Sequence, residues 1–179
     1  MRFKRLLFGP LFAWGLVAMA CSEASRSPLA PEEGNGSAVS ARVSKSHDSV
    51  ELVYCKPFKE ASQTATIGLR GGTITVGPHS LWIPPGALLT PRTITARIAK
   101  NDYTHSVQFS PAGLQFAVPA LLTLSYSGCD RHTLLQQLEV VYTSDSLDRI
   151  LELLPSVNDP SKQTTTGVIR HFSRYAVAY

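Results

Sequence analysis

The chain has 179 residues, 44% of them hydrophobic and only 17% charged, with 12 glycines and 12 prolines. That length suits one domain of ordinary size and leaves little room for two, and the apolar content excludes disorder throughout. Lys and Arg outnumber Asp and Glu by 17 to 13, a formal net charge of +4, whose meaning depends on where the cations lie.

Three of them lie at the very start. Met1-Arg2-Phe3-Lys4-Arg5 is a short basic flank, and Leu6 to Ala20 then runs without a charge. A positive flank, an apolar segment and small residues at its end are the order of a secretory signal. A spanning helix needs about 20 apolar residues, and Pro10 interrupts this run. Residues 1–20 are therefore predicted to be a cleaved signal peptide rather than a retained span. Ala18-Met19-Ala20-Cys21 after the apolar run resembles a bacterial lipobox, with Ala18 where Leu is usual and Met19 uncommon at its place. The resemblance implies cleavage before Cys21, thioether lipidation of Cys21, and a membrane partner held through that lipid. It also makes sense of an odd cysteine count, because Cys21 is set apart and Cys55 and Cys129 remain as an even pair. Ser22 rather than Asp after the cysteine points to the outer membrane of a bacterial cell envelope; secretion or a periplasmic location is the alternative. Without the signal, 14 cations face 13 acids, a net charge of +1. No cluster of Lys and Arg remains, so nucleic acid is not an expected partner.

Residues 21–47 are dominated by Ser, Pro, Gly, Glu and Ala, with isolated aliphatic side chains and no aromatic ring. Such a stretch cannot bury enough apolar area to offset its ordering entropy. It is expected to be a flexible linker carrying the domain away from the lipid surface.

The globular domain is predicted over residues 48–179. Short β-like runs follow one another there at Val50–Cys55, Thr73–Val76, Ser80–Ile83, Thr93–Ile98, Leu122–Tyr126, Leu138–Tyr142, Ile150–Leu154, Thr166–Arg170 and Arg174–Tyr179. Ile94, Ala96 and Ile98 share one face of their run, as do Leu122, Leu124 and Tyr126. Alternation over short runs, broken by turn residues about every ten positions, predicts an all-β fold, an antiparallel β-sandwich or barrel. Helical spacing is confined to a turn near His132 to Leu138. Pro84-Pro85-Gly86-Ala87 is a stiff turn, expected to carry the chain from one sheet to the other; Ser110-Pro111-Ala112-Gly113 and Asn158-Asp159-Pro160 are further turns.

Gly71-Gly-Thr-Ile-Thr-Val76, then Leu81-Trp-Ile-Pro-Pro-Gly-Ala87, then Ser110-Pro-Ala-Gly-Leu-Gln-Phe116 with Val118-Pro119 and Leu122-Thr-Leu124 resemble the ZU-five domain. This is the β-sandwich module of ankyrins, netrin receptors and tight-junction scaffolds. The resemblance covers roughly Ile67 to Tyr179, with His171-Phe-Ser-Arg-Tyr-Ala-Val177 at the closing strand, and it looks closest to single-domain bacterial versions on exported lipoproteins. It implies protein interaction or structural display, without a shared catalytic activity. The companion domains of the animal proteins have no counterpart, so their partners are not carried over, and the protein or cell-wall partner stays unidentified.

Candidate chemistry is sparse. In an oxidising compartment Cys55 and Cys129, 74 positions apart, are expected to form a disulfide; two separate buried thiols are the alternative. No Cys-x-x-Cys occurs, and two thiolates do not by themselves make a tetrahedral ligand set, so no metal site is expected. His79 follows Pro78 in a turn and is expected to be solvated. Asp145 and Asp148 lack the further oxygen ligands and turn glycine of a calcium loop. There is no nucleophile elbow, phosphate-cradling loop or dinucleotide fingerprint, and no cofactor is expected. His171-Phe172-Ser173 resembles the tripeptide at which function-to-find domains, relatives of the ZU-five fold, cut themselves. There Ser173 Oγ would attack the Phe172 carbonyl with His171 as base, releasing Ser173 to Tyr179. The competing expectation is structural, with Phe172 in the core, and the chain is read as non-enzymatic. A carbohydrate- or peptidoglycan-binding module is the remaining alternative. Its stacking platform would come from Trp82, Tyr103, Tyr126 and Tyr142, most of which alternate with apolar positions and are expected in the core.

Overall fold

The computed structural model describes residues 50–179. The predicted signal peptide, the lipidation site Cys21 and the linker 21–47 lie outside the described residues.

Eleven strands and one helical turn follow in order: β1 Ala61–Ile67, β2 Gly72–Val76, β3 His79–Ile83, β4 Arg92–Ile98, β5 Val107–Ser110, β6 Gln115–Ser125, α1 Arg131–Leu134, β7 Glu139–Thr143, β8 Ile150–Leu153, β9 Ser156–Asp159, β10 Thr164–His171 and β11 Arg174–Ala178. They form two antiparallel sheets, one of six strands in the order β1-β4-β5-β11-β7-β8 and one of five in the order β2-β3-β6-β10-β9. The sheets are not closed into a barrel. The fold is an antiparallel β-sandwich.

Alternation builds the core. Ile94, Ala96 and Ile98 of β4 and Leu122 and Leu124 of β6 are buried, as is Tyr126 just beyond β6. Each fully buried aliphatic or aromatic side chain contributes about 1.5–3 kcal/mol. β10 packs closely against β7 of the other sheet. A Cβ at Gly167 would lie 2.6 Å from the Val140 Cβ, so only glycine fits there. Gly71, at φ +70, lies where any Cβ would meet the Ile83 carbonyl and the Pro84–Pro85 backbone. The Pro84-Pro85-Gly86 turn does carry the chain between sheets, from β3 to β4.

Several expectations are corrected. Val50–Cys55 is not a full strand; it makes one isolated bridge, Leu52 with Ala178, supported by bonds of Glu51 with Tyr179 and of Val53 with Val177. Its alternation is that of a strand, but β7 takes one whole side of β11 and β5 the first two residues of the other, so only the last residues of that side are free. The strand β1 was missed because its run Ala-Ser-Gln-Thr-Ala-Thr-Ile pairs on one side only and buries a single residue fully. β5 and β9, four residues each, were not among the predicted runs. Asn158 and Asp159 end β9, and the turn follows them.

Candidate functional site

Three loops converge beside the core. The segment before β1 brings Cys55, the β4–β5 loop brings His105, and the β6–α1 loop brings Cys129. Cys55 and Cys129 are disulfide-bonded, with Cα atoms 4.6 Å apart. One ring nitrogen of His105 and the two sulfurs lie within 4.8 Å of one another. The Phe58 ring packs on His105 at 4.0 Å and meets His79 edge-on at 5.3 Å.

His79 is fully buried, not solvated. The two-residue turn Gly77-Pro78 makes Val76 and His79 the closing pair of the β2–β3 hairpin, and alternation then puts His79 on the inner face with Leu81 and Ile83. That period-two run was the available signal; the preceding turn masked it. His79 Nδ1 accepts the Ser125 N–H at 3.1 Å, and buried Nε2 has no partner among the described residues. Burial, reinforced by His105 and opposed by Asp102, pulls its pKa down to about 3. The ring is therefore neutral at ordinary pH.

The loop carrying His105 is clamped by a buried carboxylate. Asp102 accepts the Thr104 N–H at 2.9 Å and hydroxyl at 2.6 Å, the Ser106 N–H at 3.1 Å and the Ser106 hydroxyl. The Arg174 guanidinium stands 3.8 Å away. Burial alone would raise the Asp102 carboxyl, but the Ser106 and Thr104 hydrogen bonds and then Arg174 outweigh it and hold its pKa below the usual value. Neither nitrogen of His105 points to water: Nδ1 is 3.1 Å from the Ser125 carbonyl oxygen and Nε2 is 3.0 Å from that of Lys56.

His171, Phe172 and Ser173 form the corner where β10 of one sheet passes into β11 of the other. Phe172 is buried, stacked on Phe109 at 5.2 Å and edge-on to Phe116 at 5.0 Å. Its N–H donates to the Leu114 carbonyl and its carbonyl accepts the Gly113 N–H, both at 2.8 Å. An amide N–H on that carbonyl is the kind of donor that stabilises an oxyanion. Among the described residues, however, the Ser173 hydroxyl makes no hydrogen bond to the His171 ring, which instead meets Tyr142 edge-on at 5.0 Å. An open groove of about 450 Å³, lined in part by Gln115, Tyr142, Asp145 and Ser173, lies over this corner.

The predicted aromatic platform divides. Tyr126 is buried and donates to Asn158 at 2.8 Å, and Tyr142 is half-buried. Trp82 and Tyr103 are exposed, by 46% and 52%. Trp82 sits in a cross-strand row on the outer face of the five-stranded sheet, Thr73–Trp82–Leu121–Val168. Beside it runs a second row, Thr75–Ser80–Thr123–Thr166–Val157. Neither row contains a charge. The Asp145–Asp148 loop is closed by its own hydroxyls, with Asp148 accepting from Ser144 at 2.5 Å and Ser146 at 2.8 Å.

No protein-family model matches the chain, and no curated protein matches it.

Proposed function

We propose that the chain is an exported, lipid-anchored bacterial envelope protein displaying a ZU-five-like β-sandwich as a non-catalytic interaction or structural module. The address rests on the basic flank, apolar run and Ala-Met-Ala-Cys21 at the start of the sequence. The family reading rests on motif order: Gly71-Gly72 opens β2, Pro84-Pro85-Gly86 follows β3, and His171-Phe-Ser leads into β11. The observation that carries the binding role is the pair of uncharged cross-strand rows on the outer face of the five-stranded sheet, where Trp82 and Leu121 are exposed side by side. Exposed apolar side chains in one row suit a partner surface better than bulk water. A second reading, a glycan-binding face, is favoured by the same Trp82 beside the hydroxyls of Ser80, Thr123 and Thr166, since an aromatic face with adjacent hydroxyls complements a sugar ring.

Photo-cross-linking in the native envelope tests the role, with the reactive group placed at Trp82 or, as control, at Thr64 of the opposite sheet. A discrete adduct from position 82 alone is expected; equal labelling at both positions overturns the assignment of this face. Retention on purified cell-wall glycan, lost in Trp82→Ala, would select the second reading. Palmitate labelling tests the anchor, and a soluble, unlabelled mature protein would overturn it.

A further inference from the structure

The buried imidazole beside the disulfide has more acceptors around it than it can serve. Both nitrogens of His105 face main-chain carbonyl oxygens, those of Ser125 and Lys56. A neutral imidazole carries one N–H, so in that form one nitrogen lone pair confronts a carbonyl lone pair. A ring nitrogen with a free lone pair is a metal ligand, and its nearest soft donors are already in place. The two sulfurs and the ring nitrogen lie within 4.8 Å of one another. Zinc bonds thiolate at ~2.3 Å and imidazole at ~2.0–2.1 Å, which separates neighbouring tetrahedral donors by about 3.6 Å. Opening the S–S bond frees both sulfurs to separate toward that spacing within reach of the ring nitrogen.

The surroundings suit such a site. Cys55 and His105 are buried, and a buried pair of thiolates needs a compensating cation. When one His105 nitrogen binds metal, the other donates its N–H to the remaining carbonyl, the outer partner that ligating histidines usually have. The mismatch that a neutral, unligated ring has between its two carbonyl neighbours then disappears.

We propose that two-electron reduction of the Cys55–Cys129 disulfide by a dithiol converts the pair, together with His105, into a three-donor site for a borderline or soft metal ion such as Zn²⁺, with a fourth position open to water. The Sγ–Sγ bond breaks, the dithiol is oxidised to its own disulfide, and its two protons pass to the released sulfurs. Metal binding then displaces both protons to solvent. The site is absent while the disulfide stands, so oxidation state gates metal binding. This inference is independent of the binding role of the Trp82 face.

The test uses the full chain with Cys21→Ala, so that Cys55 and Cys129 are the only thiols. It is reduced with dithiothreitol, desalted without oxygen and titrated with Co²⁺ as a probe for Zn²⁺. One equivalent of Co²⁺ is expected to give a sulfur-to-cobalt charge-transfer band that Zn²⁺ abolishes, with the strand circular-dichroism signal retained. The oxidised protein should give no band. His105→Ala should weaken binding by more than about 100-fold, beyond the 10–100-fold cost of losing an outer hydrogen-bond partner. Independently of that variant's folding, the Co²⁺-loaded parent should show a paramagnetically shifted imidazole N–H proton. The proposal is overturned if the reduced parent gives no band, loses its strand signal, or shows no shifted imidazole proton. Unchanged affinity in a folded His105→Ala variant overturns it too.

Discussion

The hydroxyl of Tyr175 donates to the main-chain carbonyl of His171 at 2.6 Å, spanning the corner at which the chain leaves the five-stranded sheet and enters the six-stranded one. Tyr175 is almost wholly buried, and burial raises its phenol well above the usual value, reinforced by Tyr142 and Glu152. The group stays protonated and donates across the ordinary pH range. Removing it in Tyr175→Phe leaves the His171 carbonyl without this donor in a tightly packed corner. A loss of about 1–2 kcal/mol is expected, read as a lower urea midpoint with unchanged denaturant slope.

The buried His79 makes stability depend on mild acid. Its pKa falls from 6.5 to about 3 on folding, so the unfolded chain binds the proton more tightly. Its contribution is full above pH about 6.5 and declines as pH falls toward about 3, by at most about 1.4 kcal/mol per pH unit. Asp102 acts lower down: its depressed carboxyl contributes above its unfolded pKa and is lost only below about pH 4. Urea midpoints of the oxidised protein between pH 6.5 and 4.5 isolate the histidine. The His79→Gln variant, which can still accept the Ser125 N–H, should show a flatter profile; an identical slope would count against a neutral buried ring.

The disulfide closes a loop over 74 positions. On the chain-entropy model, replacing both Cys55 and Cys129 by Ser should cost about 4 kcal/mol. Beyond that bond, the segment 50–55 holds to the body by a few main-chain bonds with Tyr179, Val177 and Tyr103. Amide exchange should therefore accelerate first at Glu51 and Val53 in the double variant, before the central strands β4 and β6.

At the Phe172–Ser173 bond the geometry supplies a donor to the carbonyl but, among the described residues, no base hydrogen-bonded to the serine hydroxyl. The purified protein is expected to give one intact mass with no break at this bond after prolonged incubation near neutral pH. A pair of fragments meeting between Phe172 and Ser173, lost in Ser173→Ala, would establish self-cleavage instead.

Much of the fold was legible in the chain because alternation is local. Ile94, Ala96 and Ile98 declare a buried face without reference to any other strand, and Pro84-Pro85-Gly86 declares a stop through the missing N–H groups of its prolines. The Cys55–Cys129 pair was legible as an expectation, because setting Cys21 apart leaves an even number of cysteines. What the sequence by itself determined was the all-β class, the main turns and these two partners.

Tertiary structure decided the rest, because pairing between distant strands carries no mark in either strand alone. Whether Val50–Cys55 forms a full strand depends on which residues of β11 are left unpaired by β5 and β7. Trp82 is outward because its register places it between Thr73 and Leu121 on the uncovered face. His79 is inward because Gly77-Pro78 turns the hairpin one residue before it. His105 meets Cys55 and Cys129 only where three loops, 50 and 24 positions away from one another in the chain, close over Phe58. Donor sets of that kind are made by folding, since no spacing in the sequence encodes them.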